Sequence, residues 1–251
     1  MLFRSDDPKV RRAFSYAVDR NKIVELRGGP DLNQPTCQIL PPNVAGYHRY
    51  CPYTIHPNAA GTYTGPDLAK ARRLVAASGT RGQTVTFTGG KGFIDQNPVA
   101  PYLLSVLRTL GYKTRLKAVP PPVFLSHYGD SRSKWQAEPF GWIADYPAAS
   151  AFFVPNFTCA SFQPATTANT NFSEFCNPSI DAEIAQARSL QLADPQAAAQ
   201  LWTKVDRAIT DQAPWVAYTN QQSRELVSRR VGNYVYSFFI GSALLDQLWV
   251  R

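Results

Sequence analysis

The sequence predicts an α/β fold, and three observations support that prediction. Residues 65–119 alternate in the order helix, strand, helix, strand, which is a βαβ-type pattern and indicates an α/β sheet. The 251 residues are 44% hydrophobic and 18% charged, which suffices for a buried core and is ordinary for a globular protein. The longest nearly apolar run, residues 234–245, is shorter than the roughly 20 residues of a membrane span.

The elements of the first half follow from capping residues and apolar spacing. Residues 6–27 predict two helices that end before Gly28, and residues 30–64, with six prolines, predict a long loop. A helix over 65–79 then leads to a strand around Val85 and Phe87. The glycine-rich residues 89–92 lack the spacing of a phosphate loop and are interpreted as a strand-to-helix connection. A helix over 98–110 and a strand over 112–119 complete this half.

The second half predicts a less regular arrangement with two long helices near its end. Its expected elements are a short helix over 120–127, a strand over 135–142, a loop over 155–176, helices over 178–190 and 194–211, and a buried strand over 213–218. The tail, residues 219–251, is rich in aromatic residues and predicts strands without helix.

The chain is basic, with a net charge of +8 and a pI of about 9.4. No stretch collects five Lys or Arg residues, and the cations are scattered from Arg4 to Arg251. Short basic groups on helices are typical of solvated faces, so we do not expect nucleic acid as a partner.

The four cysteines indicate the redox environment in which the protein resides. Cys37 and Cys51 are 14 residues apart and Cys159 and Cys176 are 17 apart, each pair in loop-like sequence and without CxxC or histidines at metal-ligand spacing. This pattern predicts two loop disulfides formed in an oxidising compartment, although four cysteines permit three pairings. The alternative is four reduced, buried thiols in a cytosolic protein.

Sequence signatures of catalysis are missing. The chain has no GxSxG, HExxH or GxGxxG motif, and its three histidines, His48, His56 and His127, form no pattern. We therefore expect neither an enzyme nor a metal or cofactor site.

The segment Phe140–Pro147 is the most informative for binding. It places Asp145 three residues after Trp142 and next to Tyr146, where the predicted strand gives way to a loop. Such strand ends line the ligand crevice of open α/β sheets, and a carboxylate between aromatic rings can bind a ligand ammonium. The alternative interpretation, favoured by the local pattern alone, is that Asp145 caps a helix starting near Ala148 while Trp142 lies in the core.

Five segments together resemble one known family. Asp7–Arg20 is similar to the motif D-x-x-V-R-x-A-x-x-Y-A-[IV]-D-R, and Trp142–Pro147 is similar to W-x-A-D-Y-x-[DE]-P. Three further matches follow the same order along the chain: Pro66–Gly79, Asn171–Asp181 and Asp211–Tyr218. The family is the family 5 extracellular solute-binding proteins of ABC importers, the dipeptide- and oligopeptide-binding group.

The resemblance implies an architecture. The chain would be the C-terminal half of a two-lobed protein, a periplasmic-binding-protein-like lobe of the type II, peptide-binding class, with a mixed sheet flanked by helices. Residues 1–218 would form this second lobe, and residues 219–251 would return to a missing first lobe, whose N-terminal part would carry the export signal. Without that lobe, the tail aromatics are expected to be exposed and to favour self-association: Tyr234, Tyr236, Phe238, Phe239 and Trp249.

The resemblance also implies a function. Asp145 would bind the α-ammonium of a peptide, beside Trp142 and Tyr146, and the protein would deliver the solute to ABC permease subunits. It would act at the extracellular face of the membrane, as a lipoprotein, or in the periplasm. Ala148-Ala149 replaces the acidic-Pro step of the motif, which leaves open a non-peptide solute such as an oligosaccharide or metal chelate, and a secreted hydrolase is a more distant alternative. Cys159 and Cys176 fall where some dipeptide binders have a disulfide, which supports the local pairing.

Overall fold

A computed structural model describes residues 2–3, 6–92, 96–164, 166–167, 169–237 and 242–251. Its α-helices follow the sequence pattern closely in both halves. They are α1 (Pro8–Ala17), α2 (Arg20–Leu26), α3 (Leu68–Ser78), α4 (Val99–Thr109), α5 (Phe124–Gly129), α6 (Ser150–Phe157), α7 (Pro178–Leu190) and α8 (Pro195–Gln212).

A mixed four-stranded sheet forms the centre, with the order β1–β5–β3–β4. The strands are β1 (Leu2–Phe3), β3 (Thr84–Gly90), β4 (Lys113–Val119) and β5 (Ala137–Glu138). β3 runs parallel to β4 over its whole length and parallel to β5 at Phe87, whereas β1 is antiparallel to β5. The expected mixed sheet flanked by helices is therefore present.

Local signals define several helix ends. The Asp67 carboxylate accepts a hydrogen bond from the Lys70 N–H at the start of α3, and Gly79 ends that helix with φ +66°. Asp194 caps α8 in the same way through the Ala197 N–H, and Pro195 occupies the first helical position. Such ends depend on neighbouring residues only, which is why the sequence predicts them well.

Two main hydrophobic cores stabilise the fold. The first packs α1, α3 and α4 against one face of the sheet around Phe14, Phe87 and Leu103. The second joins α6, α7 and α8, where the rings of Phe153 and Trp202 stack with their centroids 5.7 Å apart. Burial of large apolar side chains is the main driving force for these contacts.

The proline-rich residues 30–64 form the predicted loop, with one short strand, β2 (Asn33–Pro35), that pairs with β6 (Thr219–Gln221). A disulfide joins Cys37 to Cys51, and a second joins Cys159 to Cys176. Gly46, at φ +91°, lies so close to Trp202 that a Cβ there would come within 2.5 Å of the Trp202 Cβ. The loop is thus held against α8 by close packing as well as by a covalent link.

Four predicted elements are wrong in extent. The loop expected over 155–176 begins inside a helix, because α6 runs to Phe157. The strand expected over 135–142 is only Ala137–Glu138, and residues 213–218 are largely buried but form no strand. Ala213 ends α8 in a left-handed conformation, φ +51°, which redirects the chain away from an extended path. Gly89 and Gly90 continue β3 instead of forming a connection, because β4 pairs with them.

The tail contains short paired strands: β7 (Val231–Gly232) with β10 (Trp249–Val250), and β8 (Tyr236–Ser237) with β9 (Ser242–Ala243). Tyr236 and Trp249 are exposed, as expected, and Tyr234 is half-buried. Phe238 and Phe239 lie outside the described residues. Within the described part of the chain, no helix is long and apolar enough to cross a membrane.

Candidate ligand-binding site

The carboxyl ends of β3, β4 and β5 meet at one end of the sheet, where ligands bind in open α/β folds. The segment Phe140–Pro147 leaves this end directly after β5 and leads into α6. The candidate residues Trp142, Asp145 and Tyr146 therefore share one short connection at the ligand end of the sheet.

Asp145 is exposed, and it makes no hydrogen bond or ion pair to another described residue. The helix-cap interpretation is wrong, because α6 begins at Ser150 and its N-cap residue, Ala149, offers no side-chain hydrogen bond. The carboxylate is thus available to solvent and to a ligand.

Trp142 is fixed to the second hydrophobic core. Its indole Nε1 donates a hydrogen bond to the Ala151 carbonyl oxygen at 2.9 Å, and its half-buried ring packs against the second core. Tyr146 is 44% exposed. The structure therefore holds the segment by its tryptophan and leaves the carboxylate and the phenol at the surface.

An aromatic cluster anchors the beginning of the same segment. Phe140 contacts Tyr128 and Phe172 edge to face, with ring centroids 6.4 Å and 5.3 Å apart. Tyr128 also contacts Trp135, and burial raises the pKa of the Tyr128 phenol. Because Phe172 belongs to the Cys159–Cys176 loop, this cluster links that loop to the strand that precedes Asp145.

The Cys159–Cys176 loop is organised by Asn171, which is fully buried. Its amide nitrogen donates to the carbonyl oxygens of Thr158 and Phe175, and its Oδ1 accepts from the Phe175 N–H at 3.2 Å. The loop is therefore shaped by one internal side chain in addition to its disulfide.

Lys91 is a candidate that the sequence analysis missed. It follows β3 directly, its side chain is exposed, and its backbone N–H donates to the Val119 carbonyl oxygen at the end of β4. A cation and the Asp145 carboxylate thus follow two neighbouring strands at the same end of the sheet. The signal was its position directly after a predicted strand, which the glycine-rich context obscured.

A cavity of about 430 Å³ lies apart from these residues. Asp6, Arg11, Glu174, Phe175 and Gln212 are among its lining residues, and neither Asp145 nor Trp142 is. Among the described residues, no group of three or more His, Cys, Asp or Glu side chains is placed to hold a metal ion.

A comparison with known protein families identifies the family of this chain. A model described as "Bacterial extracellular solute-binding proteins, family 5 Middle" matches residues 4–164, more than half of the chain. The chain belongs to this family. Asp145 and Trp142 lie inside the matched range, so the candidate site is part of the family 5 domain.

Curated relatives of this family 5 chain include two named binding proteins. The glutathione-binding protein GsiB of Salmonella choleraesuis is 26% identical over 215 residues, which are 84% of this chain and 39% of the relative. The probable di/tripeptide-binding protein 5 of Pseudomonas aeruginosa is 24% identical over 231 residues, which are 91% of this chain and 40% of the relative. The chain therefore spans about two fifths of the length of these relatives.

Solved structures show the same fold. The clavulanic acid biosynthesis oligopeptide binding protein 2 superposes with a TM-score of 0.82 at 23% identity, covering 99% of this chain and 45% of that one. A dipeptide binding protein from Pseudoalteromonas sp. SM9913, in complex with Met-Leu, gives a TM-score of 0.75 at 21% identity and covers 100% and 47%. The periplasmic-binding-protein-like architecture is thereby confirmed.

Proposed function

We propose that this family 5 chain is a lobe of the substrate-binding component of an ABC importer, which captures a peptide or peptide-like solute and delivers it to the permease. The observation that carries the proposal is the exposed Asp145 carboxylate, held at the ligand end of the sheet by the anchored Trp142. The names of similar proteins, which refer to glutathione, dipeptides, tripeptides and oligopeptides, support a solute with a free ammonium group.

The chemistry of capture is non-covalent. Asp145 would accept charge-assisted hydrogen bonds from the ligand's α-ammonium, which are stronger than hydrogen bonds between neutral groups. Trp142 and Tyr146 would supply apolar walls and cation–π attraction. Lys91 would attract the carboxylate at the other end of a short peptide. Closure of the two lobes around this zwitterion would create the surface that the permease recognises.

The proposal also covers the domain organisation and the location of the protein. Residues 1–218 act as one ligand-binding lobe, and residues 219–251 pack against a first lobe, which would cover Tyr236 and Trp249. The protein works at the extracellular face of the membrane, as a lipoprotein, or in the periplasm. Both environments are compatible with its two disulfides.

The test is an NMR titration of the chain with a dipeptide and with the same dipeptide acetylated at its nitrogen. The free dipeptide is expected to shift the Asp145 amide and the Trp142 indole resonances, and the acetylated form is expected not to. Asp145→Asn should weaken binding by about 1.5–3 kcal/mol, the range for hydrogen bonds to charged groups.

The matched control is Asp246→Asn, which removes an exposed carboxylate from the tail and should leave the affinity unchanged. Equal binding of the free and acetylated peptides, or unchanged affinity of Asp145→Asn, would contradict the assignment of Asp145.

A further inference from the structure

One quarter of the sequence carries the net positive charge of the chain, although the cations themselves are scattered. Residues 68–129 contain nine Lys and Arg residues and one carboxylate, Asp95. Their net charge equals the +8 of the whole chain, so the other three quarters are neutral overall. This segment forms α3, β3, α4, β4 and α5.

The fold brings the cations of separate elements together at the amino ends of β3 and β4. The Arg81 side chain lies against Gly111, where a Cβ would come within 3.0 Å of it. Arg72 and Arg81 line one shallow depression of about 100 Å³. Arg108 donates to the Thr114 hydroxyl at 3.3 Å, which places its guanidinium beside β4.

The same charge continues along β4, the outer strand of the sheet. Lys113, Arg115 and Lys117 alternate along this strand and are all exposed. The strand's seven residues extend for about 23 Å. We define the basic edge by the cations of this strand and of the helix side: Arg72, Arg81, Arg108, Lys113, Arg115 and Lys117.

Within the described part of the chain, these six cations form no ion pair. Lysines on a strand edge commonly prevent sheet-to-sheet aggregation, which accounts for Lys113, Arg115 and Lys117 alone. It does not account for Arg72, Arg81 and Arg108, which belong to α3, a turn and α4. The concentration of unpaired charge therefore exceeds what edge protection needs.

Most of the basic edge lies away from the candidate ligand site, and only Lys117 approaches the carboxyl end of β4. Asp145 and Lys91 follow the carboxyl ends of their strands, whereas Arg81, Arg108 and Lys113 lie at the amino ends. A ligand at the carboxyl ends would leave the basic edge open to another partner.

We infer that the basic edge docks on the phosphate headgroups of an anionic phospholipid bilayer. The charges are complementary, and a broad anionic surface can contact cations on a strand, a turn and two helices together. The inference does not depend on peptide binding, and it gives this lobe an orientation on the membrane.

The experiment measures sedimentation of the chain with vesicles of phosphatidylglycerol and phosphatidylcholine in equal amounts, and with vesicles of phosphatidylcholine alone. The chain is expected to bind only the anionic vesicles, and added salt should weaken binding. The triple variant Lys113→Gln, Arg115→Gln, Lys117→Gln should lower the partition coefficient by about a hundredfold at low salt.

The control triple variant is Arg49→Gln, Arg188→Gln, Arg229→Gln, which removes the same charge from exposed positions elsewhere. It should keep most of the binding, and circular dichroism should show both variants folded. Three outcomes would overturn the inference: no binding of the chain to anionic vesicles, equal losses in the two variants, or binding to a polyglutamate peptide without binding to vesicles.

Discussion

The side-chain amide of Gln38 donates a hydrogen bond to the Asp206 carboxylate at 2.6 Å in the interior of the protein. The backbone N–H groups of Ile39 and Leu40 donate to the other carboxylate oxygen at 3.0 Å and 3.3 Å. These bonds connect the proline-rich loop to α8. Burial raises the pKa of Asp206 to about 6, because the loss of solvation outweighs the hydrogen bonds, which lower it.

This pKa predicts how stability changes with pH. The folded state holds a proton on Asp206 up to about pH 6, whereas the unfolded state releases it near 3.8. The stabilising contribution of Asp206 to the free energy of unfolding is therefore fully present below pH 3.8 and is lost as the pH rises through 6. Urea titrations should show a loss of about 3 kcal/mol from this group over that range. Asp206→Asn should flatten the dependence of the free energy of unfolding on pH, and the control Asp246→Asn should not. If Asp206→Asn left this dependence unchanged, the titration of Asp206 would be excluded as its cause.

The Cys37–Cys51 disulfide closes a loop across 14 residues of sequence. Replacing both cysteines by serine should lower the free energy of unfolding by about 3 kcal/mol, because the unfolded chain regains the entropy of an open loop. Urea denaturation measures the loss. Non-reducing peptide mapping of the parent should recover Cys37–Cys51 and Cys159–Cys176, and free thiols or crossed links would contradict the pairing.

Arg20 is fully buried, and its guanidinium donates to five backbone carbonyl oxygens. Nε contacts Thr36 at 2.8 Å and Ala217 at 3.0 Å, and Nη1 contacts three more carbonyl oxygens. Burial lowers its pKa to about 10, so the side chain stays charged at neutral pH. Arg20→Lys keeps the charge but loses the planar fork, and it should lower the free energy of unfolding by about 3 kcal/mol.

Thermal unfolding measures the effect of Arg20→Lys. The exposed Arg188→Lys is the matched control and should change the midpoint little. If the two variants were equally stable, the hydrogen bonds of Arg20 would not contribute the expected amount to the free energy of unfolding.

The hydrogen bond of Trp142, which anchors the binding segment, can be tested separately from the charge of Asp145. Trp142→Phe keeps an aromatic ring but removes the hydrogen bond to Ala151, which should lower stability by about 1 kcal/mol. It should also weaken binding of the free dipeptide, because Asp145 is then less well positioned. The NMR titration reports both the Asp145 amide and the affinity. Trp249→Phe, in the exposed tail, serves as control, and equal affinities of the two variants would argue against the positioning role.

Much of the fold could be predicted because the decisive signals are local. Asp67 and Gly79 mark the ends of α3, and Pro178 and Pro195 stand at the first positions of α7 and α8. The strand over 135–142 was overestimated, since pairing across the sheet limits β5 to two residues while Trp135 and Phe140 join the aromatic cluster. Strand length depends on distant partners, which local patterns do not contain.

The candidate site shows the same division. The Trp142–Pro147 motif was recognisable from its residues, but Lys91 could be assigned to the same end of the sheet only once β3 and β5 were known to be neighbours. The grouping of positive charges also depends on the fold. Arg81, Arg108 and Lys113 are scattered along the sequence, and the chain reversals around Gly111 bring them to one edge of the sheet.

The pairing of β2 with β6 has a mechanical consequence. β6 is the first strand of the tail, and it is held by three residue pairs to β2 and by Arg20 through the adjacent Ala217. A force on the tail would load these bonds in shear and pass into the cross-linked loop that contains Cys37. Ile39 and Leu40 of this loop share the second core with Ala144, the neighbour of Asp145. Tension from the tail would thus be transmitted through the loop to the core beside Asp145, so the tail and the binding segment are mechanically coupled.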